Sequence, residues 1–279
     1  MSRLAIDVGG TWLRYELVGE DDVCGKFSSK KEPFLDFIVS MLRRYPHIDA
    51  VAVSFAGQVH NGVILSAPNI DVKKPELKDF VETNFSVSLR LENDLNCAAL
   101  AESVYWNEKE IVALYSGTGV GGGLIVDGKI VHGWRNLAGE IGHIPYKTAP
   151  FKCGCGKDNC LELYASGSGI QKWKKYFGLK EETTLQQLKS SKKPDAMKIA
   201  ESYIEALIYA AATMVTMMNP KILVLGGGVI EHNPELVETV CKRIGDYALL
   251  ASCEGLIIEK SCIENASLEG AKILLNTIA

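Results

Sequence analysis

This 279-residue chain predicts an α/β fold of two related lobes, and three features of the sequence carry that prediction. Apolar runs at strand and helix spacing alternate along its length. A strand, a glycine-rich turn and a second strand follow one another near the start and again after residue 110. A third glycine turn, Gly226-Gly227-Gly228, closes a later buried strand.

The elements follow in order. Leu4-Ala5-Ile6 is a short apolar strand, Asp7-Val8-Gly9-Gly10-Thr11 the first turn, and Trp12 to Leu17 the second strand. Phe34 to Tyr45 has helical periodicity, and Ala50 to Phe55 is a β-rich run ending at Gly57. Val87 to Leu91 reads as a strand, followed by a helix from Asp94 to Trp106. Ile111 to Tyr115, Ser116 to Gly123 and Leu124 to Val126 repeat the strand–turn–strand unit, and Ile130-Val131-His132 is a further β-run. Gly167 to Lys193 is helical, polar and lysine-rich, the pattern of a solvated insertion. Met197 to Met218 is one long helix halted by Asn219-Pro220. Ile222 to Leu225 is a buried strand, Glu235 to Ala248 a helix, Leu256 to Glu259 a strand, and Ser267 to Ile278 a terminal helix.

Composition narrows the function classes. A net charge of −4 argues weakly against nucleic acid or an anionic membrane as the main partner, since both need a clustered basic face. The longest nearly apolar run, Leu207 to Met218, falls short of the roughly 20 residues of a membrane span. No targeting segment is visible. Of the eight cysteines, Cys153, Cys155 and Cys160 crowd together and the others are scattered. The cluster reads as a metal site and the rest as reduced thiols, which places the chain in the cytoplasm.

A strand ending in small residues lets backbone N–H groups converge on an anion, which is how such turns hold phosphate. Gly9, Gly10 and Thr11 form one candidate cradle, Gly117, Thr118 and Gly119 a second, and Gly226, Gly227 and Gly228 a third. Asp7 is placed to hold Mg²⁺ through water. Singly, either of the first two turns is also a plain hairpin. Neither has the P-loop spacing or leads into a helix like a dinucleotide fingerprint. Two phosphate hairpins facing each other across a cleft, with a third glycine turn beside the nucleoside, is the actin/hexokinase arrangement.

Glu92-Asn93-Asp94 lies where a strand gives way to a helix, the end of a sheet where α/β folds place ligands. Phosphorylating an alcohol needs a base to orient the hydroxyl and take its proton. Asp94 is either that base, with Asn93 beside it as a neutral hydrogen-bonding group, or a helix cap. His143, Cys153, Cys155 and Cys160 make a one-His, three-Cys set suited to structural zinc. Glu140 and Glu162 bracket this set, where zinc would pin a loop presenting acceptors to sugar hydroxyls; the alternative is two ordinary surface acids.

The chain resembles the ROK family of sugar kinases and sugar-responsive regulators over nearly its whole length. The resemblance rests on Asp7 to Thr11, Ala67-Pro68-Asn69, Glu92-Asn93-Asp94 with Asn96, and Gly117 to Gly123. It continues through Gly139 to His143, Cys153-Gly154-Cys155-Gly156 to Cys160-Leu161-Glu162, and Asn219-Pro220 with Gly226 to Gly228. It implies a two-lobed actin/hexokinase-like (ribonuclease H-like) ATPase fold with an interlobe cleft. Residues 1–107, closed by the last helix 267–279, would form the small lobe, and 108–266 the large lobe with its zinc loop. It also implies Asp94 as catalytic base, Asn69, Asn93, Asp94, Glu140, His143 and Glu162 as sugar ligands, ATP with Mg²⁺, structural Zn²⁺, and a homodimer.

Three positions depart from the family pattern: Asn159 in place of a glycine, Ala56 in place of a proline, and Ile70-Asp71-Val72 without a nearby tryptophan. The third alters one wall of the sugar pocket. Glucose is the first expectation for the substrate, with N-acetylmannosamine, N-acetylglucosamine and fructose behind it. The rival class, a regulator with a DNA-binding segment ahead of the first turn, is disfavoured because six residues precede Asp7. A non-catalytic sugar sensor is the other alternative, against which Asp94 and both turns count.

Overall fold

A computed structural model describes residues 2–20 and 23–278. The chain forms two compact units, one of residues 1–107, 129–138 and 263–279, the other of 108–128 and 139–262. The segment 129–138 thus groups with the first unit, where a single division at 107/108 would put it in the second.

In the first unit, β1 (Ser2–Val8), β2 (Trp12–Val18) and β3 (Cys24–Ser28) form an antiparallel meander. After α1 (Phe34–Arg44), β4 (Ile48–Phe55) pairs parallel to β1. A hairpin of β5 (Gln58–His60) and β6 (Val63–Ser66) and then α2 (Leu77–Phe85) lead to β7 (Ser88–Asn93), parallel to β4, and on to α3 (Asp94–Trp106). The sheet order is β3-β2-β1-β4-β7. Strand alternation assigns the two faces. Leu4, Ile6 and Val8 belong to the core that includes Phe34, Phe37, Ile38 and Met41 of α1. Ala5, Ala50 and Ala52 pack with Leu268, Ala271 and Leu275 of α11 (Ala266–Leu275). Small residues on that second face let the helix lie close.

The same economy of space recurs where α11 crosses α3. A Cβ on Gly270 would run into the carbonyl of Cys97, so the two helices approach through a glycine. Gly270→Ala should therefore destabilise the unit by about 1–3 kcal/mol, the usual cost of overpacking. Urea unfolding of both forms measures it, and an unchanged midpoint would mean the crossing is not this tight.

The second unit repeats the plan. β8 (Ile111–Ser116) and β9 (Val120–Val126) are antiparallel, and β11 (Ile222–Gly226) and β12 (Ile257–Lys260) extend the sheet in parallel. The order β9-β8-β11-β12 matches β2-β1-β4-β7 in sequence and direction. Short helices α4 (Glu162–Ala165), α5 (Gly167–Tyr176) and α6 (Leu185–Lys189) precede α7 (Pro194–Met218). α8 (Gly228–Glu231), α9 (Glu235–Arg243) and α10 (Leu250–Cys253) complete it. α7 ends as expected, with Asn219 in the left-handed conformation ahead of Pro220.

Several boundaries differ from the sequence reading. The second glycine turn is only Gly117 to Gly119, because Ser116 pairs with Val120 and the ladder runs on through Gly121, Gly122 and Gly123. The β-run at 130–132 shrinks to β10 (Lys129–Ile130), after which the chain turns and the Ala138 N–H bonds the His132 carbonyl. Residues 167–193 are two helices, broken at Gly178, with a Thr184–Gln187 capping box opening the second. Lys174 in this stretch is buried, not solvated, and donates to the carbonyls of Glu181 and Thr183. The helix from Glu235 stops at Arg243 and gives way to a 3₁₀ turn.

Candidate active site

In the first unit, strand register collects the polar groups at one sheet edge. Asp7 pairs with Ser54 and Ser54 with Glu92, so three residues share one row at the carboxyl ends of parallel strands, with Val8, Phe55 and Asn93 in the next. Asp7 is buried, its Oδ1 accepting from Ser54 Oγ at 3.0 Å and its Oδ2 from Arg14 Nη1 at 3.1 Å. Burial pushes its carboxyl above the ordinary range, against the pull of Ser54 and Arg14. Arg14, which holds Asp7 in place, was not singled out by sequence, because nothing local marks its direction. Asn69 lies against Gly10.

Asn93, not Asp94, caps α3. Its side-chain carbonyl accepts from Leu95 N–H at 2.9 Å and Asn96 N–H at 3.2 Å. Its amide donates to the Gly57 carbonyl and to Asp94 Oδ1, both at 3.1 Å. Asp94 is therefore the first helical residue, relieved of capping and oriented by its neighbour. A negative group there also suits the helix dipole.

The turns themselves present donors. Gly9 N–H is used by the Trp12 carbonyl and Gly117 N–H by the Gly119 carbonyl. Among the described residues, the N–H groups of Gly10, Thr11, Thr118 and Gly119 make no protein hydrogen bond. Behind the second turn, the carbonyls of Gly117 and Thr118 accept from Gly167 and Ser168 at the start of α5, at 2.8 and 3.0 Å. Ser116, just before it, bonds Tyr203 Oη at 2.9 Å and the Ala165 carbonyl at 2.7 Å, a brace that the sequence did not reveal. Gly227 adopts φ +87° and has no room for a Cβ against the Ser116 backbone, two reasons for glycine there, and Gly228 lies beside Gly117.

The ligand atoms of His143, Cys153, Cys155 and Cys160 all lie within 4.8 Å of one another. Cys155 and Cys160 sulfurs are 3.3 Å apart, and Cys153 Sγ is 3.7 Å from His143 Nδ1. A tetrahedral zinc with its usual bond lengths sets S–S edges at about 3.8 Å and S–N edges at about 3.6 Å, which shifts of about 1 Å or less in this set would reach, and one His with three Cys is a donor set suited to the ion. Nδ1 faces the sulfurs, and Nε2 lies 3.8 Å from Glu140 Oε2. Glu162 opens α4, its Oε1 near Cys153 Sγ at 3.2 Å and its Oε2 accepting from Val120 N–H at 3.4 Å. It links the cysteine loop to the second turn. Asn159 needs no glycine, since its φ is not positive and its carbonyl accepts from Tyr146 N–H.

A cavity of 630 Å³ in the first unit is lined by Glu92, His132, His60, Lys78 and Arg90 among others. It includes neither Asn93 nor Asp94.

The family model described as the ROK family matches residues 3–278. A curated N-acetyl-D-glucosamine kinase of Vibrio vulnificus (strain YJ016) is 33% identical over 287 residues, 91% of this chain and 93% of that protein. A ROK hexokinase from Thermus thermophilus superposes with a TM-score of 0.82 at 24% identity, covering 99% of this chain and 98% of that one. A ROK family glucokinase from Streptomyces griseus, solved with glucose and AMPPNP, gives 0.75 at 24% identity, over 99% and 100%. This chain and these solved proteins share one fold, the actin/hexokinase-like ATPase fold.

Proposed function

Because this chain belongs to the ROK family, we propose that it is a sugar kinase, moving the γ-phosphoryl group of ATP to a hydroxyl of a hexose. The observation that carries the reading is Asp94, a carboxylate at the carboxyl end of a strand that its neighbour caps and orients. Asp94 takes the proton of the attacking hydroxyl. The free amides of Gly10, Thr11, Thr118 and Gly119 receive the phosphates, and Gly226, Gly227 and Gly228 lie beside the nucleoside. Asp7 would hold Mg²⁺ through water, and that ion would supply charge to the phosphates.

Glu140, His143, Glu162, Asn69, Asn93 and Asp94 are proposed as the sugar ligands. Asn93 has its side-chain groups committed to the α3 cap, Gly57 and Asp94, so its share is chiefly to aim Asp94. His143, Cys153, Cys155 and Cys160 would hold zinc, whose contribution is to brace the loop between Glu140 and Glu162. All eight cysteines are unpaired, which supports a reducing, cytoplasmic setting, and a homodimer remains the proposed assembly.

N-acetyl-D-glucosamine is the proposed hexose, supported by curated relatives of that name at 30–34% identity. It displaces glucose from first place; glucose, N-acetylmannosamine and fructose form the comparison panel. An ATP-coupled assay across the four sugars should give the highest kcat/KM for N-acetyl-D-glucosamine, by about tenfold or more over glucose, if a buried acceptor or donor is matched to the acetamido group. Phosphorylation of none of them would sink the kinase reading and leave a sugar sensor.

A further inference from the structure

One buried carboxylate beside the site has no part in the reaction described so far. Glu92 is the residue before Asn93, and its carboxylate accepts four hydrogen bonds. Oε1 receives Asn93 N–H at 2.8 Å, Asn96 Nδ2 at 2.9 Å and Asn136 Nδ2 at 2.8 Å. Oε2 receives His132 Nε2 at 2.8 Å. Asn96 Nδ2 also reaches Asn136 Oδ1 at 3.0 Å. Two of the donors stand on either side of Asp94, and the other two come from the segment 129–138 of the same unit.

An ionised carboxylate is the one side chain that only accepts, so it alone satisfies four converging donors. Charge-assisted bonds of this length are the strong class. We propose that Glu92 is a positioning residue for phosphoryl transfer, tying the turn that carries Asp94 to the His132 and Asn136 loop and so fixing where the Asp94 carboxylate points. The inference rests on the reading of Asp94 as the base.

The charges around the tie agree with it. Burial pushes the Glu92 carboxyl up, but its donors, His132 first, hold it below the ordinary value. His132 is held above its ordinary value by the bond to Glu92. His60, Lys78 and Arg90 line the same cavity as His132 and bring no negative charge, so Glu92 is the group that raises the ring's pKa. The stabilisation from His132 is lost as pH rises through its raised pKa, and that from Glu92 as pH falls through its lowered one. Between those limits the pair is intact.

A tie that served folding alone would change stability and leave each folded molecule as active as before. Glu92→Ala is therefore expected to lower kcat at saturating substrates by about 30-fold or more, in line with the cost of misplacing a catalytic group, while KM for ATP stays within about threefold. In Glu92→Gln one amide hydrogen faces a donor. If it faces His132, the ring must be neutral to accept, so the defect in this variant should deepen as pH falls and ease as pH rises. Should Glu92→Ala fail to fold, His132→Ala and Asn136→Ala each remove one donor from outside the sheet, and each should lower kcat by about 3–10-fold. A kcat per folded molecule within twofold of the parent in all of these would overturn the proposal. Amide exchange at Leu95 and Asn96, read by NMR, needs no activity and separates this inference from the kinase reading. Exchange there should quicken about tenfold or more in the Glu92 variants, and unchanged exchange would overturn the tie even in an inactive protein.

Discussion

Asp94→Asn is expected to lower kcat by about 10³-fold, within the 10²–10⁴ range that a positioned general base supplies, with sugar affinity held within a few-fold. The substitution is nearly isosteric. Its side-chain carbonyl still accepts from Asn93 Nδ2, and the α3 cap, which belongs to Asn93, is untouched. The loss of negative charge at the first turn of α3 costs about 0.3–1 kcal/mol of stability. The capacity to take a proton is gone. Turnover by the coupled assay and sugar binding by calorimetry read the two parts separately. Near-normal turnover would remove Asp94 from the chemistry, and a folded protein that no longer bound sugar would make it a ligand alone.

How much of this was legible beforehand depends on how far apart the interacting residues lie. The start and end of α3 could be read because an Asn-Asp pair opens an alanine-rich run that ends at Trp106 and Asn107. The clustering of His143, Cys153, Cys155 and Cys160 was legible because they fall within eighteen residues, close enough for spacing alone to constrain them. Glu92 was not, since its partners His132 and Asn136 stand some forty residues on and nothing in their own neighbourhood marks them as donors. Arg14 was missed for a related reason: only the β1–β2 register sets it opposite Asp7. The choice between base and cap at Asp94 stayed open, because Asn and Asp are equally good caps and only backbone conformation gives the role to Asn93. β3, the β5–β6 hairpin and α2 were missed altogether. α2 follows a Lys-Lys-Pro-Glu run and has only Leu77 and Val81 buried, a pattern too thin for periodicity to detect.

Stripping the metal should show what the cysteine loop is for. The protein as purified is expected to carry about one zinc per chain, as a closed Cys₃His set does, measurable by plasma mass spectrometry. The stretch from Ile144 to Leu161 is closed by backbone bonds that need no ion: Leu161 N–H to Ile144, Tyr146 N–H to Asn159, and Ala149 N–H to Asp158. Removing zinc with a chelator, or substituting Cys155→Ser, should therefore free the tip around Cys153 and Cys155 without unfolding the unit. His143 would lose the partner on Nδ1 that sets its ring, and the Cys153 loop would no longer be pinned beside Glu162. Both lie among the proposed sugar ligands, whereas the amides of Thr118 and Gly119 are braced from behind by α5. KM for the sugar should accordingly rise by about 10–100-fold, the usual range when a metal-site support is lost, and KM for ATP should move far less. Equal damage to both constants would mean that the loop props up the whole second unit. No change in either would mean that the sugar is held elsewhere.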